Sequence, residues 1–74
     1  MELRPLDTLN QARNKNVIVE LKNGRQLRGK LRSFDIHVNT VLEECDELEG
    51  GEVKRSLGVI FIRGDTIVFI SPAE

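Results

Sequence analysis

The chain has 74 residues, with 11 basic and 12 acidic side chains for a formal charge of −1, 39% hydrophobic residues, one cysteine and one histidine. One small domain over 1–74 is expected, of a size whose core alone rarely supplies more than about 3–5 kcal/mol; Cys45 and His37 are too few for a disulfide or a structural metal, which leaves association with other chains as the supplement. No apolar run approaches the roughly 20 residues of a membrane span, the first residues lack the apolar stretch of a secretion signal, and the near-neutral total excludes coating nucleic acid by bulk positive charge, so a soluble, cytoplasmic protein is expected.

Leu3, Leu6, Leu9 and Ala12 recur at spacing three, and Pro5 stands where the first turn of a helix needs no N–H, so a short amphipathic helix is predicted over about 4–14. The period then changes. Val17-Ile18-Val19-Glu20-Leu21 is β-branched and runs into Asn23-Gly24, a hairpin signal of the type I′ kind. In the return strand, 25–32, Leu27, Gly29 and Leu31 share one face while Gln26, Arg28, Lys30 and Arg32 share the other. Gly29, on the buried face, predicts a sharp bend or a close backbone approach. A third strand is predicted over about 39–46, a polar turn over 47–51, and a fourth strand over about 53–63 that Gly58 divides. Gly64-Asp65 then makes a tight connection to a last strand, 66–70, which Pro72 ends. The expected fold is mainly β: an N-terminal α-helix followed by a five-stranded, strongly bent antiparallel sheet, a small barrel-like domain.

Charge is unevenly distributed along this pattern. Lys22, Arg25, Arg28, Lys30 and Arg32 face a single acid between residues 20 and 32, whereas Asp35, Glu43, Glu44, Asp46, Glu47, Glu49 and Glu52 follow with no base among them. The two segments read either as solvated strand faces or as a polarised surface with one side able to face phosphates. The last two strands, Leu57-Gly58-Val59-Ile60-Phe61-Ile62 and Ile67-Val68-Phe69-Ile70, are near-continuous apolar runs that want cover on both faces. Another copy of the chain, joined head to tail, provides that cover and closes into a ring.

The residues then match a family pattern. The segment 17–48, with Asn23-Gly24, Gly29 and Asp35-Ile36-His37-Val38-Asn39, resembles the first Sm motif. The segment 57–72, with Ile62-Arg63-Gly64-Asp65, resembles the second. With the Arg4-Pro5-Leu6 helix start, the resemblance covers nearly the whole chain and is to the archaeal Sm-like (LSm) proteins; the Arg-Gly form of the second motif separates it from the bacterial Hfq branch. The resemblance implies rings in which the fourth strand of one copy pairs with the fifth of the next, usually heptamers, binding single-stranded U-rich RNA around a central pore. It further implies that His37 and Arg63 sandwich a base, that Asn39 bonds its Watson–Crick edge, that Asp35 braces the loop, and that Gly64 and Asp65 contribute backbone amides. The chain departs from the family pattern at Val38, where Met is frequent, and at Thr40, where an apolar residue is usual.

These roles suit the chemistry, because unpaired bases are read by stacking on rings or guanidinium planes and by pairing their edges. An Asn amide offers a donor and an acceptor side by side, matching O4 and N3–H of uracil, and selects against cytosine only if it is held one way round. A reading from another class is a small SH3-like barrel that assembles with protein and binds no RNA; three Phe with no Trp and no Tyr give little material for an aromatic peptide groove. Asp35, His37 and Cys45 make no catalytic set, since no oxyanion site accompanies them, and Cys45 reads as a buried inert thiol. No enzyme activity, cofactor or small-molecule substrate is expected. Arg63-Gly64-Asp65 also spells an adhesion tripeptide, a reading that would require secretion.

Overall fold

The computed structural model describes residues 4–73. Helix α1 (Pro5–Gln11) begins after an extended Arg4, with Pro5 in its first turn. It is shorter than the sequence pattern suggests. Beyond Gln11, Ala12 and Arg13 still donate to Leu9 and Asn10 carbonyls, but Asn14 turns left-handed (φ 67°) and donates instead to the Leu31 carbonyl at 2.7 Å, which hands the chain to the sheet. Leu9 and Ala12 pack on the core while Leu6 stays half-exposed; Leu3, the first residue of the predicted apolar stripe, lies outside the described residues.

Strands β1 (Asn16–Leu21), β2 (Gln26–Phe34), β3 (Thr40–Glu49), β4 (Glu52–Ile62) and β5 (Ile67–Pro72) form one antiparallel sheet in the order β4-β3-β2-β1-β5. The sheet therefore has β4 at one edge and β5 at the other. The β1–β2 connection differs from the expected type I′ turn. Of the Asn-Gly pair only Gly24 is left-handed (φ 86°); Gly24 N–H donates to Leu21 O at 2.9 Å, and Leu21 N–H donates to Arg25 O at 2.9 Å. Lys22, Asn23 and Gly24 thus make a three-residue loop, in which Asn23 Oδ1 accepts the Arg25 N–H at 3.0 Å.

The bend runs through three strands at Cys45. A Cβ on Gly29 of β2 would come 2.9 Å from the Glu43 carbonyl oxygen and 3.1 Å from Cys45 Cα, so only glycine lets β3 cross that closely. On β3 the pairing slips by one residue as Glu44 turns left-handed (φ 51°), a bulge that adds twist. On β4, Gly58 (φ 75°) sits opposite Cys45. Val17, Val19, Leu27, Leu31 and Leu42 pack with Cys45 and Ile62 in one buried core. Leu31 and Leu42 are fully buried, each burial stabilising by about 1.5–3 kcal/mol.

The predicted turn over 47–51 is strand as far as Glu49, and only Gly50-Gly51 turn. The reason is electrostatic. Glu47 is 4% exposed, with Oε1 2.8 Å from Arg55 Nε on β4 and Oε2 3.6 Å from Arg25 Nε beside β2. Arg55 holds the Glu47 carboxyl below the usual carboxylate range. The basic and acidic segments are likewise neighbours. Arg28 opposes Asp46 and Lys30 opposes Glu43 across the β2–β3 ladder, and Arg32 Nε lies 3.1 Å from Glu43 Oε1. Opposite charges thus stand across adjacent strands at these positions, the arrangement that stabilises a ladder.

Both edge strands expose apolar side chains: Val53, Val59 and Phe61 on β4, Val68 and Phe69 on β5. Phe61 is 66% exposed and Val59 70%. Among the described residues no helix is long and apolar enough to cross a membrane.

Candidate nucleic-acid interface

The β2–β3 loop, 35–39, and the turn after β4 meet at one corner of the sheet. Phe34 and Thr40 pair across the base of the first loop. Asp35 organises what lies between them. Its Oδ1 accepts the N–H of His37 (2.9 Å) and of Asn39 (3.1 Å), and its Oδ2 accepts Nδ2 of Asn39 at 3.0 Å. Backbone bonds close the loop as well: Val38 N–H donates to Asp35 O (2.9 Å) and Asp35 N–H to Asn39 O (3.2 Å). The Asn39 amide, with the two backbone N–H groups, favours the charged carboxylate and holds Asp35 below its usual range.

The second loop approaches from β4. Gly64 N–H donates to Asn39 Oδ1 at 2.7 Å, across 25 positions of sequence. A Cβ at position 64 would fall on the His37 carbonyl oxygen and come 2.9 Å from the Val38 carbonyl carbon, so Gly64 is required for space. Gly64–Thr66 forms one 3₁₀ turn, closed by Thr66 N–H (3.1 Å) and Thr66 Oγ1 (2.7 Å) on the Arg63 carbonyl. Arg63 Nη2 lies 2.9 Å from Asp65 Oδ2 with the Arg63 side chain 73% exposed, a contact that adds little stability and places the guanidinium beside Asp65.

His37, Asn39, Arg63, Gly64 and Asp65 line one open depression of ≈ 440 Å³. Five of the six residues singled out in the sequence therefore share one surface, and the sixth, Asp35, acts through Asn39. Gly64 departs from expectation. Its N–H is donated to Asn39, so it holds that side chain rather than offering its own amide to a ligand. A larger, mainly apolar groove of ≈ 540 Å³ runs between α1 and β5, lined by Leu6, Leu9, Val68 and Ile70 and reaching His37 at the edge of the site.

The consequence is an amide with a fixed orientation. Asp35 can only accept and Gly64 N–H can only donate, so Nδ2 and Oδ1 of Asn39 are each assigned. One N–H and one oxygen lone pair of the amide remain. Reversing the amide would set Nδ2 against the Gly64 N–H and Oδ1 against the Asp35 carboxylate. Cys45 takes no part: it is fully buried beside Gly29 and Gly58, and burial pushes its thiol up to about 11. Among the described residues no group of His, Cys, Asp and Glu is arranged to hold a metal ion.

Sequence reading flagged Thr40 and Val38 as departures without a role for either. Val38 is left-handed (φ 64°), a conformation β-branched residues rarely adopt, and Thr40 Oγ1 donates to its carbonyl at 2.6 Å. The Thr itself was the available signal.

Comparison with known proteins shows which family and fold the chain shares. An snRNP Sm-like protein of Archaeoglobus fulgidus is 53% identical over 73 residues, covering 99% of this chain and 95% of that protein. The Sm protein of Pyrococcus abyssii, solved in complex with a uridine heptamer, superposes with a TM-score of 0.91 at 44% identity, covering 96% of this chain and 100% of that one. The SmAP1 heptamer of P. aerophilum superposes with a TM-score of 0.90 at 38% identity, covering 100% and 99% of the two chains. The LSM domain model matches residues 7–72, from within α1 to the end of β5, and on this match together with the shared fold the chain belongs to the LSM family.

Proposed function

We propose that this chain assembles with copies of itself into a ring, a heptamer, that binds U-rich single-stranded RNA and serves as a scaffold or chaperone in RNA processing. The observation that carries the reading is the two-sided hold on Asn39. Its free N–H and lone pair match O4 and N3–H of uracil, and cytosine presents the reverse pair. His37 and Arg63 stack on the base faces and Asp35 braces the loop, while Asp65 steers Arg63 and adds a backbone amide. The unpaired apolar edges of β4 and β5 support head-to-tail pairing, and the heptameric Sm proteins among the solved structures it resembles support seven copies. A ring repeats one modest site along a single strand, so avidity exceeds what one site gives. The protein acts in the cytoplasm as a binding module without catalysis or cofactor, a single Sm-like domain whose first motif spans about 17–48 and second about 57–72.

The test is a fluorescence-anisotropy titration of oligouridine, oligocytidine and oligoadenosine, with native mass spectrometry of the free protein in parallel. A seven-subunit mass and preference for oligouridine are expected. A monomer that binds the three alike would overturn the proposal.

A further inference from the structure

We infer that Thr40 is a positioning residue for uracil recognition: its hydroxyl pins the Val38–Asn39 peptide and so sets the direction in which Asn39 presents its amide. This inference rests on the base-reading role proposed for Asn39.

The argument begins with strain. A β-branched residue in the left-handed region persists only where its surroundings over-determine it, and Val38 is held at φ 64°. The Val38–Asn39 peptide joins that residue to the base-reading one. Relaxing Val38 would rotate this peptide and swing Asn39. Two contacts oppose the rotation, one at each end of the plane: Asn39 N–H donates to Asp35 Oδ1 at 3.1 Å, and the Val38 carbonyl accepts from Thr40 Oγ1 at 2.6 Å. Asp35 was visible in the sequence pattern. Thr40 holds the other end.

Thr40 is well placed for this. It is fully buried as the first residue of β3, paired with Phe34 on β2 and Ile62 on β4, so its backbone is fixed by the sheet and its hydroxyl is a rigid post. An apolar side chain would fit a buried sheet position as well or better. Burying a hydroxyl here instead gives the strained carbonyl its donor. Gly64 closes on the same peptide from the other loop, so a shift there also disturbs its bond to Asn39 Oδ1.

The experiment compares Thr40→Val, which keeps the shape and removes the hydroxyl, with Thr40→Ser, which keeps the hydroxyl and removes a methyl. Melting temperature, native mass and affinities for oligouridine and oligocytidine are measured on both and on the parent chain. A purely structural role makes binding follow stability, with the valine variant at least as good as serine in both. Positioning makes the orders cross. Thr40→Val keeps its mass and melts at or above Thr40→Ser, yet loses about 5-fold in oligouridine affinity per site, as for one net hydrogen bond, with a smaller uridine-to-cytidine ratio. Thr40→Ser melts lower and keeps the parental ratio. If the parent prefers uridine and Thr40→Val keeps that preference in full, this inference fails alone. If the parent shows no preference, the base-reading proposal fails, and this inference with it.

Discussion

Replacing Gly64 by alanine tests whether the two loops of the site are held at contact distance. Gly64 is not left-handed, so an ordinary Gly→Ala change would stabilise by about 0.4–1 kcal/mol through the unfolded chain. The added Cβ, however, would coincide with the His37 carbonyl and lie 2.9 Å from the Val38 carbonyl carbon, backbone atoms that cannot rotate aside as a side chain would. The loops must part, which breaks the 2.7 Å bond from Gly64 N–H to Asn39 Oδ1, worth about 1 kcal/mol, and adds about 1–3 kcal/mol of overpacking. The balance is a loss of about 1–3 kcal/mol. At about 4–8 °C per kcal/mol for a chain of this size, the melting temperature should fall by roughly 5–20 °C. Melting must be followed at matched protomer concentration, because association contributes to apparent stability. Oligouridine affinity should fall with it, since Asn39 keeps only Asp35 as a restraint. An alanine variant that melts at or above the parent temperature and binds oligouridine normally would refute the reasoning.

Phe61→Glu places a charge on the exposed β4 edge and should reduce the native mass from ring to free subunits, with the fold retained by circular dichroism; an intact ring would show that this edge is not the joint. Cys45, buried and with its thiol pushed up to about 11, should ignore a thiol reagent at pH 8 until the protein is unfolded; prompt native labelling would contradict the packing. Asp35 and Glu47 are both held below the usual carboxylate range, by Asn39 and Arg55 respectively, so their contribution is complete above the unfolded-state pKa and is lost as pH falls through the lower folded value. Melting temperature should therefore hold down to about pH 5 and decline below about pH 4, less steeply in Asp35→Asn. The opposite trend, a loss between pH 7 and 5.5 that Asp35→Asn abolishes, would exclude this assignment.

Local pattern carried much of the fold. Alternation in β2, the glycine bends at Gly29 and Gly58, and the apolar runs that became β4 and β5 were legible because each follows from side-chain period or a missing Cβ. Glu47 was misread as turn because its partners, Arg25 and Arg55, lie on other segments and composition alone shows only a run of acids. The helix end was misplaced for a similar reason, since the Asn14 N–H finds the Leu31 carbonyl only once β2 is in place. At the site, the residue types were legible and their division of labour was not. That Gly64 serves Asn39 depends on two loops meeting, and the use of the Thr40 hydroxyl depends on the backbone angle at Val38.

The order of the strands has a consequence for mixtures of subunits. Because β4 and β5 stand at opposite edges, each copy in the proposed ring would join its neighbours through two different ends, and a substitution could spoil one while sparing the other. A Phe61→Glu subunit would still offer its β5 to a normal neighbour and then present a blocked β4, ending a growing arc as a chain terminator does. Closed rings in a mixture would then fall as a high power of the normal fraction, so a minority of altered subunits would disable most of the assembly. A single copy with one bad edge is a poison, whereas one with a damaged base-reading loop is only a silent member of a working ring.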